Sequence, residues 1–351
     1  MRKIIHCDCD CFYAAVEMRD DPSLINIPIA IGGRSDRRGV ISTCNYPARK
    51  FGIHSAMATA QALKRCPQLH LISGNMQKYR DASKQIFAIY REITDQIEPL
   101  SLDEAFLDVS DIDKFSGSAT RIAQYLRYRV EKEVGITISA GVAPNKFLAK
   151  IASDWNKPNG LKVVTPNDVE SFVQHLSVKK IPGVGKKTAE KMRSIGIETC
   201  EHIREKSPEF LQQYFGTFGA RIFELSHGID NRVVSNQRDT KSVSVEHTFA
   251  ADIDSCLSCI EQISALQQEL QKRYQNLKQP RKVSGLFVKL KFCDFTQTTV
   301  EQQASISQQS LFKDMLVQAY ERGAKPVRLI GLGYRLMKVP ERNYQQLILP
   351  I

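Results

Sequence analysis

Two short acidic segments lie far apart in the chain, and their residue types could serve phosphoryl chemistry. The first is Ile4-Ile5-His6-Cys7-Asp8-Cys9-Asp10 and the second is Ser101-Leu102-Asp103-Glu104-Ala105-Phe106-Leu107-Asp108-Val109. Carboxylates embedded in apolar runs are costly unless their charge is compensated. Two divalent cations held by shared carboxylates would compensate it, and such a pair suits in-line phosphoryl transfer. Mg²⁺ takes oxygen ligands, usually one or two carboxylates together with substrate phosphates. Asp8, Asp103 and Glu104 are therefore the candidate catalytic, metal-ligating residues. A single Asp in a turn is as readily a cap or a surface charge, so the reading rests on the three together.

The phosphate side has its own candidates. Tyr46 and Arg49 are three positions apart and share a face on a helical turn. Arginine offers a planar fork to phosphate oxygens. Lys157, just before Pro158-Asn159-Gly160, is a second cation. Lys180-Ile181-Pro182-Gly183-Val184-Gly185-Lys186-Lys187-Thr188-Ala189 is similar to a helix-hairpin-helix motif. Gly183 and Gly185 allow the tight turn. The N–H groups that open the next helix, with Lys186 and Lys187, then face a DNA phosphate without reading sequence. Phe215-Gly216-Thr217-Phe218-Gly219 is a weaker second copy.

These groups need elements to position them. Residues 3–11 read as a buried strand, 12–18 as a helix and 93–110 as a hairpin turning near Pro99 and Ser101. Adjacent strand residues point to opposite faces. Asp103 and Glu104 can therefore share a site only near a turn. If the first strand runs beside the hairpin, Asp8, Asp103 and Glu104 meet at one sheet edge, with Asp10 on the face of Asp8. Ile122, Leu126 and Val130 mark a helix that Gly135 stops, and 136–142 alternate as a strand. Leu148, Ile151, Ala152 and Trp155 line the next helix, with Trp155 read as core. Residues 161–164 make a further strand. The order strand, helix, hairpin, helix, strand suits a ferredoxin-like sheet with one face covered by helices. Residues 166–230 read as all-helical and 231–241 as a polar linker. The remainder reads as a second α/β unit, with strands at 283–293 and 327–338 and helices at 256–277 and 309–322.

Composition agrees with a multidomain α/β (α+β) protein of 351 residues. The formal net charge of +11 favours a polyanionic partner, nucleic acid before a membrane surface. From residue 241 onward 15 Lys/Arg stand against 10 Asp/Glu, so this part is the more basic per residue. The nine cysteines are odd in number and follow no signal peptide, which points to a reducing cytoplasm. Cys7, Cys9 and Cys11 read as small buried hydrophobes. Cys256 and Cys259 form a lone CxxC on one helix face, without the second half of a zinc site. No apolar run approaches the roughly 18 residues of a membrane span.

The chain resembles the Y-family of lesion-bypass DNA polymerases over essentially its whole length. The resemblance rests on five ordered motifs: Asp8–Glu17, Asn45-Tyr46-Pro47-Ala48-Arg49-Lys50, Ser101–Ala105, Ala140–Lys150 with Lys157-Pro158-Asn159-Gly160, and the hairpin at Ile181–Gly185. It implies a right-handed polymerase. The palm spans 1–165, with small fingers inserted at about 19–77. A helical thumb spans 166–230, a linker 231–241 and a little finger 242–345. A clamp-binding tail, 346–351, closes the chain.

By the same resemblance, Asp8 and Asp103 bind two Mg²⁺ ions. Glu104 completes the site of the ion that activates the primer 3′-hydroxyl, and the Cys9 carbonyl ligates the ion on the triphosphate. Tyr13 falls at the steric gate against ribose. Thr43, Tyr46, Arg49 and Lys157 hold the triphosphate. Gln346, Leu347, Leu349 and Ile351 are spaced anchors for a replication sliding clamp. The implied partners are primer-template DNA, deoxynucleoside triphosphates and the clamp, with a cytoplasmic monomer as the default state. The implied activity is error-prone, template-directed translesion synthesis without proofreading. Two other readings remain open: another two-metal phosphotransferase on a palm-like sheet, such as a nucleotide cyclase, and a DNA-binding scaffold without chemistry. The cyclase needs neither the hairpin motif nor a basic extra domain. Intact Asp8, Asp103 and Glu104 count against the scaffold.

Overall fold

The computed structural model describes residues 1–236, 239–277, 281–308 and 310–337. They form two compact units, Met1–Gly33 with Val40–Gln237, and Arg34–Gly39 with the chain that follows 237. In the first unit β1 (Ile4–Cys9) alternates as a strand must. Ile5, Cys7 and Cys9 enter one core, while Ile4 enters a second on the opposite face. Cys11 then takes the left-handed conformation, φ 43°, and turns the chain sharply into α1 (Phe12–Asp20).

β2 (Ile29–Gly32), β3 (Ile41–Cys44), α2 (Tyr46–Arg49), α3 (Thr59–Arg65) and β4 (His70–Ile72) follow. The strands make a small sheet, β3-β2-β4, around a core that includes Ile41, Cys44, Ile53 and Cys66. After α4 (Met76–Arg91) come β5 (Ile97–Pro99), β6 (Glu104–Asp108), α5 (Ala119–Val134), β7 (Ile138–Ala143), α6 (Lys146–Trp155) and β8 (Leu161–Val163).

The main sheet has the order β5-β6-β1-β7-β8. Both neighbours of β1 run antiparallel to it, which is the ferredoxin-like arrangement with one added strand. Two expectations need correction. Helices cover both faces, not one: α4 and α5 pack on the Cys7 side, and α6 packs on the other. Gly141 explains the second contact, because a Cβ there would lie 2.1 Å from the Ala149 carbonyl oxygen. Trp155 is not core. It is 52% exposed at the end of α6, with its ring against Phe172 at 5.0 Å. The apolar face of α6 is complete at Leu148, Ile151 and Ala152, which leaves the last residue of the helix at the surface.

Residues beyond β8 are helical: α7 (Val169–Gln174), α8 (Lys186–Ser194), α9 (Cys200–Arg204), α10 (Pro208–Phe215) and α11 (Thr217–Ser226). Val173, Met192, Ile203, Leu211 and Leu225 join the core built on α6. Asp230, fully buried, ties this segment to the main sheet's helix. It accepts from the Phe147 N–H at 3.0 Å and from Arg221 and Arg232 at 2.7 and 2.8 Å.

The second unit contains β9 (Ser242–Ile253), α12 (Cys256–Glu261), α13 (Ile263–Gln275), β10 (Val283–Phe292), β11 (Gln297–Gln303), α14 (Leu311–Glu321) and β12 (Val327–Leu336). Its antiparallel sheet is ordered β11-β10-β12-β9. Leu286, Val288 and Leu290 face the helical core, while Phe287, Lys289 and Lys291 take the opposite face. β9 and β11 were not expected from the sequence. Cys259 is buried on α12, and all nine cysteines are free thiols. No helix among the described residues is long and apolar enough to cross a membrane. The expected tail, 346–351, lies outside the described residues.

Candidate active site

The register of β1 against β6 sets Asp8 directly opposite Glu104. Cross-strand partners share a face, so both carboxylates project on the α6 side. Asp103 precedes β6 in a bend and escapes strand alternation. Its carboxylate accepts from the Ser101 hydroxyl, and its carbonyl accepts from Cys9 N–H at 3.0 Å. The site therefore sits at one edge of the sheet, at the ends of β1 and β6, with β1 the middle strand.

The three acids are not equally gathered. Oxygens of Asp8 and Glu104 lie, with a ring nitrogen of His6, within 4.8 Å of one another, whereas Asp103 stands outside that set. Asp103 instead shares with Asp8 a cleft of roughly 290 Å³. Cys9, Tyr13, Thr43, Arg49 and Lys157 also line it.

Burial and two lysines set the electrostatics of the site. Burial pushes the Asp8 carboxyl up to about 6, with the nearby Asp103 adding to the effect and Lys157 opposing it. Lys157 Nζ donates to Asp8, and Lys150 Nζ donates to Glu104. Burial works against charge on Lys157, yet Asp8 raises its pKa overall. His6, fully buried between Phe106 and α6, has its pKa pushed down by desolvation, with the Glu104 carboxylate 3.3 Å away opposing the shift.

Tyr13 lies on α1 with its ring stacked on Tyr79 at 4.3 Å and 17°. The Tyr79 hydroxyl donates to Glu17 at 2.6 Å, which holds the lower ring in place. Asn45 caps α2: its side-chain oxygen accepts from Ala48 N–H and Ile29 N–H, both at 3.1 Å. That cap fixes the turn carrying Tyr46 and Arg49. The Arg49 guanidinium stacks 4.8 Å over the Tyr46 ring, and the Tyr46 hydroxyl faces Asp10 at 3.5 Å. Of that pair, Arg49 reaches the cleft and Tyr46 stands behind it.

Asp10 is buried and is not a member of the acidic set. It accepts from Thr137 and Ser139 hydroxyls at 2.8 Å each and from Asn159 N–H at 2.7 Å. It thereby pins the Lys157-Pro158-Asn159-Gly160 loop to the sheet.

The hairpin candidates form one turn ahead of α8. Gly183 has φ +94°, which favours glycine, and Gly185 caps α8 with no side-chain hydrogen bond to its first N–H groups. Lys186 is exposed beside them, as is Lys187.

Comparison with known proteins follows the same order of segments. Residues 7–154 match the impB/mucB/samB family, 179–230 the "DNA polymerase-iota, thumb domain" family, and 240–349 the impB/mucB/samB family C-terminal domain. The chain is 54% identical over 344 residues to a DNA polymerase IV of Ectopseudomonas mendocina, covering 98% of each chain. It is 53% identical to a DNA polymerase IV of Ralstonia nicotianae, covering 99% of this chain and 97% of that one. The chain belongs to the DNA polymerase IV group of the Y-family. Among solved structures, a Y-family DNA polymerase chimera of Dbh and Dpo4 superposes with a TM-score of 0.87 at 26% identity, covering 95% of this chain and 98% of that one. An insertion ternary complex of Dbh DNA polymerase gives 0.68 at 25% identity, covering 96% and 99%.

Sequence reasoning missed several residues of this Y-family site. Lys150 and His6 reach Glu104, Ser101 orients Asp103, and Tyr79 supports Tyr13. Only His6 carried a local signal, since it alternates with Asp8 on β1.

Proposed function

We propose that the chain is a DNA-directed DNA polymerase performing error-prone translesion synthesis. It joins deoxynucleoside triphosphates to a primer 3′-hydroxyl by two-metal-ion nucleotidyl transfer, without proofreading. One observation carries the reading. Asp8 and Glu104 are paired at the ends of the central strands, beside a cleft that holds Asp103, Tyr13, Thr43, Arg49 and Lys157.

Family membership brings a metal requirement, and the donor set suits Mg²⁺: three carboxylates, one of them desolvated enough to favour a cation nearby. Two Mg²⁺ ions would be held by Asp8 and Asp103, with Glu104 and the Cys9 carbonyl each completing one site. When bound, the ions would activate the 3′-hydroxyl and neutralise the departing pyrophosphate. Arg49, Lys157, Tyr46 and Thr43 would hold the triphosphate, with Lys157 exchanging Asp8 for a phosphate oxygen. The Tyr13 ring, fixed against Tyr79, would exclude a ribose 2′-hydroxyl.

Primer-template DNA would lie with its phosphates against the start of α8, at Gly183, Gly185, Lys186 and Lys187. The basic second unit would add a sequence-independent grip. Gln346, Leu347, Leu349 and Ile351 would dock a sliding clamp. The working form would be a cytoplasmic monomer. A nucleotide cyclase on the same sheet would have no use for the α8 turn or the second unit.

The test is extension of a labelled primer with Mg²⁺ and four deoxynucleotides, on plain template and on template bearing a minor-groove guanine adduct. Template-directed products past the adduct, with no shortening of the primer from its 3′ end, are expected. Absence of templated addition would overturn the proposal.

A further inference from the structure

Glu17 and Tyr79 do not line the cleft, yet together they tie the Tyr13 ring to its own helix. Tyr13 and Glu17 are one turn apart on α1 and share a face. The support comes from a different element. Tyr79 lies in the first turn of α4, which Asn75 caps by accepting from the Gln77 and Lys78 N–H groups. Its ring is fully buried and stacks against Tyr13. Neighbours confine that ring: Phe12 lies tilted at 6.4 Å, and a Cβ on Gly74 would sit 3.5 Å from Tyr79 Cε2. The hydroxyl adds a directional tether. It donates to Glu17 Oε1 at 2.6 Å and so refers the support back to the helix that carries Tyr13. Burial and the adjacent carboxylate push the Tyr79 phenol up, which keeps it protonated as the donor.

A carboxylate this far from water is costly unless its charge is met. Glu17 is only 9% exposed, and its second oxygen accepts from Lys78 Nζ at 2.8 Å. Lys78 Nζ also reaches Asp20 at 3.0 Å. Three charge-assisted bonds therefore staple the start of α4 to α1.

We infer that Glu17 is a positioning residue for sugar discrimination: by holding Tyr79 against Tyr13, it sets how far the gate ring can yield to a ribose 2′-hydroxyl. The inference rests on the reading of Tyr13 as the gate. Rejecting a single oxygen atom needs a wall held to within about 0.5 Å, and such a wall depends on the residues that lock it. Tyr13 lines the cleft and rests on the Tyr79 ring. To retreat onto its support it must displace Tyr79, and that movement strains the bond to Glu17.

The test compares kcat and KM for one ribonucleotide and its matching deoxynucleotide, inserted by the full-length protein on primer-template with Mg²⁺. Tyr79→Phe keeps the stacked ring and removes only the hydroxyl. It should raise the ribonucleotide-to-deoxynucleotide ratio of kcat/KM about three- to tenfold, and Glu17→Ala should do the same. Glu17→Gln still offers an oxygen to the phenol and leaves Lys78 paired with Asp20, so its ratio should stay within about twofold of wild type. The double variant Glu17→Ala/Tyr79→Phe should relax the ratio no further than the larger single change, because both remove one bond. An unchanged ratio in Tyr79→Phe, a Gln variant as permissive as Ala, or effects that multiply in the double variant overturns the inference. So does an equal fall in both efficiencies, which is all that a loosened fold would cause. If Glu17→Ala does not fold, Tyr79→Phe against Glu17→Gln decides on the same terms. Tyr13→Ala, run alongside, separates the two readings. If it relaxes selectivity while the Tyr79 and Glu17 variants do not, only this inference is refuted. If it leaves selectivity unchanged, the gate itself is refuted and the inference falls with it.

Discussion

Replacing Asp10 should damage both stability and nucleotide affinity, although Asp10 touches neither reacting group. Its carboxylate takes three close donors, the Thr137 and Ser139 hydroxyls and the Asn159 N–H, with the Tyr46 hydroxyl farther off at 3.5 Å. Hydrogen bonds to a charged partner contribute about 1.5–3 kcal/mol each, and a buried donor left unpaired costs about 1–3 kcal/mol. In Asp10→Ala the two hydroxyls can rotate toward other acceptors, but the Asn159 N–H cannot. The expected loss is about 3–5 kcal/mol. Asp10→Asn keeps one acceptor oxygen for Asn159 and should lose about 1–2 kcal/mol. With a urea slope of about 3 kcal/mol/M, the alanine variant should unfold about 1–2 M earlier. Asn159 is two residues from Lys157, so the same change loosens the cation that lines the cleft. In single-nucleotide insertion assays Asp10→Ala should raise KM for the incoming nucleotide about tenfold or more, with Kd for primer-template within about twofold. An alanine variant with the wild-type urea midpoint and wild-type KM would refute the argument that Asp10 holds the loop.

Other outcomes follow from the same geometry. Tyr13→Ala removes the ring stacked on Tyr79 and should raise ribonucleotide incorporation at least tenfold; unchanged sugar selectivity would take the gate away from this position. Burial disfavours the Asp230 carboxylate, but the Arg232 and Arg221 guanidiniums hold its carboxyl down at about 2. A folded pKa below the unfolded value of about 3.9 makes the stabilisation, about 2 kcal/mol, fully present above pH 4 and lost as pH falls from 4 to 2. Asp230→Asn should abolish that part of the acid dependence in thermal unfolding between pH 5 and 2, and an unaltered pH profile would contradict it. Deleting residues 346–351 should leave distributive synthesis intact while removing stimulation by a sliding clamp; equal losses with and without the clamp would make the tail structural.

How much of this could be read in the sequence depends on the range of each interaction. β1 was legible because its alternation is local, and the Asp103-Glu104 doublet needed only the turn before it. The hairpin between Pro99 and Glu104 pairs β5 with β6 locally, whereas pairing of β1 with β6 sets Asp8 opposite Glu104 across the intervening segments and stood in the sequence only as a condition. Helical coverage of both sheet faces was not legible, since it depends on Gly141 lying beneath α6, a tertiary contact with no local pattern. Strand β11 is an edge strand of mostly polar residues, and much of β9 is exposed, so neither shows the apolar period that marks a half-buried strand. Trp155 was misjudged because helical spacing gives a direction but not the point where the partner surface ends. Lys150 reaches Glu104 across 46 positions, and a lysine on a helix looks like solvated surface until that contact is seen.

Asp103 is the sharpest probe of the proposed chemistry, because its carboxylate lines the cleft yet lies outside the compact His6–Asp8–Glu104 set. The decisive measurement is single-turnover insertion of one correct deoxynucleotide by Asp103→Asn with saturating Mg²⁺, beside Kd for primer-template. The account predicts a fall of at least a thousandfold in insertion rate, with Kd within about threefold of wild type. Insertion within tenfold of wild type would contradict it, because the third carboxylate would then have no part in holding the ions.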